Sequence, residues 1–131
     1  EEEEVKLLMT PGSAHSMSCS LALLEKGVEF EPVEVVMGRL KSEVERLNPV
    51  YRQIPVLIHK GRAISDLPVI LDYIEEAWPA SDTTPALLPA SAYDRSVARF
   101  WANFASNKVA LSPFSSFLQA TPLHRFHPFC F

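Results

Sequence analysis

The stretch IPVLIHKGRAIS, residues 54–65, decides the fold. Its first half is a short apolar run with Pro55 near the start and Lys60-Gly61 at the end, which reads as a strand. RAIS, residues 62–65, reads as its short partner. The Lys60-Gly61 turn is too short for a crossover, so the pair is antiparallel. Upstream, VKLLM (residues 5–9) reads as a buried strand. A loop with Pro11 and Gly12 follows, then a helix with Met17, Leu21 and Leu24 on one stripe, ended by Gly27. EFEPVEVV, residues 29–36, alternates around Phe30, Val33 and Val35 and reads as a second strand. KSEVERL, residues 41–47, makes a short helix stopped by Asn48-Pro49. From Leu67, the residues Val69, Ile70, Tyr73, Ile74 and Ala77 recur with helical spacing up to Trp78-Pro79.

The predicted order is therefore βαβαββα. The earlier strands are joined through helices and are expected to pair parallel. A mixed four-stranded α/β sheet with helices on its faces is the pattern of a thioredoxin-like domain, here spanning residues 1–78. PASDTTPALLPAS, residues 79–91, is rich in proline and serine and reads as a linker. Residues 92–131 then open with an amphipathic helix whose apolar stripe is Val97, Phe100, Trp101 and Phe104. After Ser112 the periodicity fails, so this second segment reads as the first helix of an incomplete all-α domain with an irregular tail.

Bulk properties exclude several classes. Among 131 residues, 47% are hydrophobic and 21% charged, the balance of a globular protein able to bury a core. The net charge of −4 is matched by the four opening glutamates, so the body is near neutral and nucleic acid is not an expected partner. Cys19 and Cys130 lie at opposite ends of the chain. That is no disulfide framework, and a reducing, cytoplasmic setting is expected. No apolar stretch has the length of a membrane span, and no basic targeting segment is visible. His124, His127 and Cys130 recur every three residues, but a structural zinc needs four ligands and no nearby fourth is evident, so no metal is expected.

The segment MTPGSAHSMSCSLALLEKGV, residues 9–28, holds Ser13, Ser16, Ser18 and Ser20. Ser13 stands between the first strand and the first helix, where spacing alone favours an N-cap. The other three fall inside the helix, where a hydroxyl bonds the backbone or faces water. Cys19 reads as a small buried side chain rather than a nucleophile, and His15 as a partly exposed first-turn residue.

Several segments together resemble the plant tau-class glutathione transferases: VKLL, Ser13, LALLEKGVEFE, NPVYRQIPVLIHKGRAIS, ILDYIEEAWP and LLPASAYDRSVARFWANF. The resemblance runs from Val5 to about Lys108. It implies an enzyme that holds the thiol of glutathione as a thiolate and transfers it to a small hydrophobic electrophile, in detoxification or stress response. Glutathione is then a co-substrate, no separate cofactor is implied, and a homodimer is one option. Ser13 takes the position of the family's active serine. The family makes a cis bond the expectation at Ile54-Pro55, with the Ile54 backbone free to pair with the cysteinyl part of glutathione.

Departures from the family pattern fall around the remaining contacts. Where the family usually reads Glu-Ser, this chain has Asp66-Leu67, which keep a carboxylate and a backbone N–H but lose a hydroxyl. Without the resemblance, Asp66 reads as the cap of the following helix, with Pro68 in its first turn. Gln53 stands where the family often has lysine, leaving Arg52, Arg39 or Lys41 to meet the glycine carboxylate. Ser13 is followed by Ala14 and His15 rather than proline and an aromatic residue. The alternative to an enzyme is a non-catalytic thioredoxin-like binding module or an inactive truncated transferase.

Overall fold

The computed structural model describes residues 4–35 and 41–109, with the side chain of residue 109 left aside. The elements are β1 (Val5–Met9), α1 (Ala14–Glu25), β2 (Glu31–Glu34), α2 (Lys41–Leu47), β3 (Val56–His59), β4 (Arg62–Ser65), α3 (Leu67–Ala77), α4 (Ala92–Phe104) and a π-helical turn at Ala105–Val109. The chain divides into two compact units, Glu1–Leu87 and Leu88–Phe131. The division falls inside the proline- and serine-rich stretch.

In the first unit the four strands form one mixed sheet in the order β2-β1-β3-β4. β1 and β2 pair parallel, while β1–β3 and β3–β4 pair antiparallel. The parallel pairing expected of the two earlier strands thus holds for β1 and β2, while β3 pairs antiparallel with β1. β2 ends at the same end of the sheet where β3 begins, so the connection carrying α2 has no need to cross to the other end. Lys60 and Gly61 both have positive φ, 51° and 72°, which is the twist that a two-residue hairpin turn requires.

The pleat sorts side chains onto two faces. Val5, Leu7 and Leu57 face α1 and α3, forming one core with Cys19, Ala22, Leu23, Leu67, Ile70 and Ile74. Leu8 and Val56 face the other way and pack with Val44 of α2. The second strand is shorter than expected, and its Val33 packs on this second cluster while Pro32 sits at the sheet edge, where no ladder N–H is missed.

The face of α1 differs from the sequence expectation. Met17, Leu21 and Leu24 are 52%, 60% and 63% exposed, and the buried residues are Ser16, Cys19, Ala22 and Leu23. Both stripes have helical spacing. Leu7, Leu57, Ile70 and Ile74 are already fully buried in this layer, which leaves mainly small side chains to line the close approach of α1. The helix ends in a Schellman motif: the Val28 N–H donates to the Leu23 carbonyl at 2.9 Å and Gly27, at φ 68°, donates to Leu24 at 2.9 Å. The cap residue Lys26 turns inward, and its ammonium lies 2.6 Å from a Glu75 carboxylate oxygen of α3.

At the far end of the sheet, His59 stacks on Trp78 with centroids 4.7 Å apart. Its Nδ1 lies 2.8 Å from the Tyr73 hydroxyl, which fastens β3 to the last turns of α3. In the second unit, Ser91 caps α4: its Oγ accepts the Asp94 N–H at 3.1 Å and donates to the Asp94 carboxylate at 2.6 Å. Trp101 meets Phe100 and Phe104 edge to face along that helix, and all three are exposed among the described residues.

Candidate functional site

The register of the strands gathers the candidate residues. Leu8 pairs with Val56, and Val56 pairs with Ser65. The segment leaving β1 toward Ser13, the Ile54-Pro55 segment entering β3, and the Asp66-Leu67 segment leaving β4 therefore lie at one end of the sheet. Three adjacent strands span two inter-strand spacings, about 10 Å, close to the length of an extended tripeptide. The N-termini of α1 and α3 open at the same end, so two helix dipoles present their positive ends there.

Ser13 is the N-cap of α1, with φ −76° and ψ 118°. Its Oγ accepts the Ser16 N–H at 3.3 Å, while its own N–H donates to the Thr10 carbonyl at 3.1 Å. Capping occupies an acceptor lone pair and leaves the hydroxyl hydrogen, which takes no acceptor among the described residues. The cap and the hydrogen-bond donor are thus compatible roles of one side chain. Ser18 and Ser20 return their hydroxyls to the carbonyls of Ala14 and Ser16 at 2.9 and 3.1 Å, as expected of mid-helix serines. Ser16 behaves differently: it is fully buried, and its Oγ accepts the Thr10 N–H at 3.3 Å. His15, half-buried in the first turn, makes no hydrogen bond to Ser13.

Cys19 is fully buried, and burial pushes its thiol up to about 12. A neutral, inaccessible thiol is a poor nucleophile, as the sequence suggested. The sign of the linkage follows: above its ordinary value, about 8.5, the unfolded chain ionises this thiol while the folded chain keeps it protonated. Stability from this group is complete below that value and falls as pH climbs toward about 12. In Cys130→Ser protein at pH 8, we expect alkylation of Cys19 by iodoacetamide to be slow and to accelerate only in step with urea unfolding. Rapid alkylation without denaturant would contradict this.

The Ile54-Pro55 peptide bond is cis, with Pro55 buried and Ile54 half-buried. The preceding loop is held by Asn48, which is only 5% exposed. Its amide nitrogen donates to the Gln53 carbonyl at 3.0 Å and its amide oxygen accepts the Tyr51 N–H at 3.2 Å. In the sequence Asn48 served only as a helix stop. Its role in shaping the approach to Gln53 and Ile54 depends on contacts three and five residues away that a helix-stop signal does not specify. Of the candidate cations, Lys41 lies 3.9 Å from Glu45 within α2, Arg52 is exposed on the Asn48 turn, and Arg39 falls outside the described residues.

Asp66 precedes α3 at φ 79° and ψ 130°, and its side chain makes no capping hydrogen bond. Asp66 thus holds the N-cap position that the sequence suggested, its carbonyl accepting the Ile70 N–H at 2.9 Å, but its carboxylate is exposed and does not cap, on a backbone that non-glycine residues rarely adopt. Such strain costs on the order of 1–3 kcal/mol and concentrates at functional positions. We expect Asp66→Gly to raise stability by about 1 kcal/mol in urea unfolding; a loss of stability would contradict the strain. Leu67 starts α3 and is 7% exposed, with its side chain in the main core rather than in the site. Its contribution at this end of the sheet is the first backbone N–H of the helix. A serine at this position would open a cavity in the core.

Among the described residues no cluster of three or more His, Cys, Asp or Glu side chains could hold a metal ion, and no helix is long and apolar enough to cross a membrane. His124, His127 and Cys130 fall outside the described residues.

Comparison with known proteins shows the family of the chain. Residues 7–82 match the family model "Glutathione S-transferase, N-terminal domain". The chain is 41% identical over 113 residues to "Glutathione S-transferase U8" of Arabidopsis thaliana, covering 86% of this chain and 49% of that one. The crystal structure of the rice protein OsGSTU1 in complex with glutathione superposes with a TM-score of 0.74 at 43% identity, covering 82% of this chain and 49% of that one. The tau-class enzyme MiGSTU from mango gives 0.72 at 37% identity, covering 80% and 46%. The chain spans about half the length of the curated relatives it matches. It belongs to the glutathione S-transferase family, as a relative of the plant tau-class members.

Proposed function

We propose that this chain carries the glutathione site of a transferase that conjugates reduced glutathione to small hydrophobic electrophiles. The observation that supports this reading most is the collection of Ser13, Ile54-Pro55 and Asp66-Leu67 at one end of the sheet, over a span that suits an extended tripeptide. The bound ligand in the rice relative's structure supports the same assignment.

In this reading Ser13 is the catalytic residue. The glutathione thiol gives its proton to solvent, and the Ser13 O–H donates to the resulting thiolate at the positive end of α1. The sulfur lone pair then forms a bond to the electrophilic carbon, and the leaving group departs with its electron pair. The Ile54 backbone pairs with the cysteinyl part, as an added strand would. The Asp66 carboxylate receives the γ-glutamyl amine, and the Leu67 N–H at the start of α3 receives the γ-glutamyl carboxylate. Gln53 stands beside the glycine end. Detoxification or stress response in the cytoplasm, as a homodimer, is the setting the family suggests.

Calorimetric titration of glutathione into the chain, followed by conjugation to a generic aromatic electrophile, tests this. Saturable binding with turnover is the expected result. Absence of binding at millimolar glutathione would overturn the reading for this chain. Binding without turnover would favour the non-catalytic alternative.

A further inference from the structure

We propose that Ser16 is a positioning residue for the Ser13 hydroxyl, an inference that rests on the glutathione reading above. Ser16 is a polar residue with no exposed surface, in the first turn of α1 directly behind Ser13. Its polar groups are committed inward. The N–H donates to Ser13 Oγ at 3.3 Å, Oγ accepts the Thr10 N–H at 3.3 Å, and the carbonyl accepts the Ser20 hydroxyl at 3.1 Å. Ser13 in turn donates its N–H to the Thr10 carbonyl at 3.1 Å.

Thr10, Ser13 and Ser16 therefore close a ring of three hydrogen bonds around the β1–α1 loop. Thr10 is anchored from outside the ring as well, its hydroxyl donating to the Val35 carbonyl at 3.1 Å. Two of the ring's bonds, at 3.3 Å, are slightly longer than the ordinary range, so the ring holds the loop by closure rather than by one strong bond. Its effect on Ser13 is directional. One lone pair of Oγ is pinned by the Ser16 amide, which leaves the hydroxyl hydrogen to point elsewhere, and an accepting hydroxyl is the better donor. Removing Ser16 Oγ deletes the bond to Thr10 and frees the loop that carries Ser13, without touching any group that meets glutathione.

The test is Ser16→Ala. Alanine is near-isosteric and favours the helix, so the variant keeps the fold. Glutathione is the probe, and thiolate absorbance is followed against pH together with turnover. We expect the bound thiol to titrate at higher pH and turnover at pH 6.5 to fall about three- to tenfold, the size of one weakened hydrogen bond to a charged group. The loss is recovered at alkaline pH, and KM for glutathione is little changed. Ser18→Ala, which loses only a bond to the Ala14 carbonyl, leaves the thiol titration where it was. In a Ser13→Ala background, Ser16→Ala adds no further shift. The proposal is overturned if Ser13→Ala moves the thiol titration and Ser16→Ala does not, or if the two shifts add. If Ser13→Ala itself moves nothing, the catalytic role of Ser13 falls, and this inference with it.

Discussion

Replacing Ser13 with alanine is expected to raise the pKa of the bound glutathione thiol by about one to two units, the worth of one hydrogen bond to a charged group. Turnover at pH 6.5 then falls about ten- to a hundredfold and recovers toward alkaline pH, where the thiol ionises unaided. The same substitution removes the N-cap of α1 and costs about 1 kcal/mol of stability. Ser13→Asp separates the two roles. Aspartate still accepts the Ser16 N–H and keeps the helix capped. It also replaces the donor with a negative charge beside the thiolate, so activity is lost while the urea midpoint is held. Activity retained in Ser13→Asp would show that donation to sulfur is not what this side chain does.

The second large effect concerns stability. Lys26 is the C-cap of α1, and its side chain is fully buried with Nζ 2.6 Å from Glu75 Oε2. Glu75 is itself only 12% exposed, and the same oxygen accepts the Leu87 N–H at 3.0 Å. One carboxylate thus ties α1, α3 and the end of the first unit together. Truncating Glu75 to alanine strands a buried ammonium and a backbone donor, which is expected to cost about 3–5 kcal/mol, a large share of the stability of a small domain. Replacing both partners with apolar residues, as in Lys26→Met with Glu75→Leu, costs much less because no charge is left unpaired. Urea unfolding of the three proteins measures this. A Glu75→Ala loss below about 1 kcal/mol would mean that the ammonium reaches water in the variant.

Much of the fold was legible where local signals are self-sufficient. VKLLM, KSEVERL and RAIS became β1, α2 and β4 with the expected limits, because each is bounded by a turn residue, an Asn-Pro stop or a two-residue hairpin. The antiparallel hairpin was legible from the length of its turn alone. The buried face of α1 was not, because two stripes share the helical period and only the surrounding layer selects the one with small side chains. The antiparallel pairing of β1 with β3 also depends on which end of the sheet the α2 connection occupies, which no local pattern records.

The site divides in the same way. Ser13 was legible as a strand–helix junction, and Pro55 as a proline at a strand start, since both signals are local. Three features needed coordinates. The positive φ of Asp66 arises from the tight passage between β4 and α3; aspartate tolerates positive φ better than most residues, but no local pattern requires it here. The inward turn of Leu67 follows from the position of the α3 face against the sheet. Ser16 looked like a spare mid-helix hydroxyl because its partner, the Thr10 N–H, belongs to the loop six residues earlier.

In the proposed function, glutathione binds at the end of the sheet that carries Ser13, Ile54 and the Asp66-Leu67 turn. Amide chemical shifts of the isotopically labelled chain, followed by nuclear magnetic resonance as glutathione is added, test it most directly. Saturable shifts are expected at the N–H groups of Ser13, Ile54 and Leu67 with one common dissociation constant, while His59 and Arg62 at the opposite end stay still. Shifts confined to that opposite end, or none at millimolar glutathione, would contradict it.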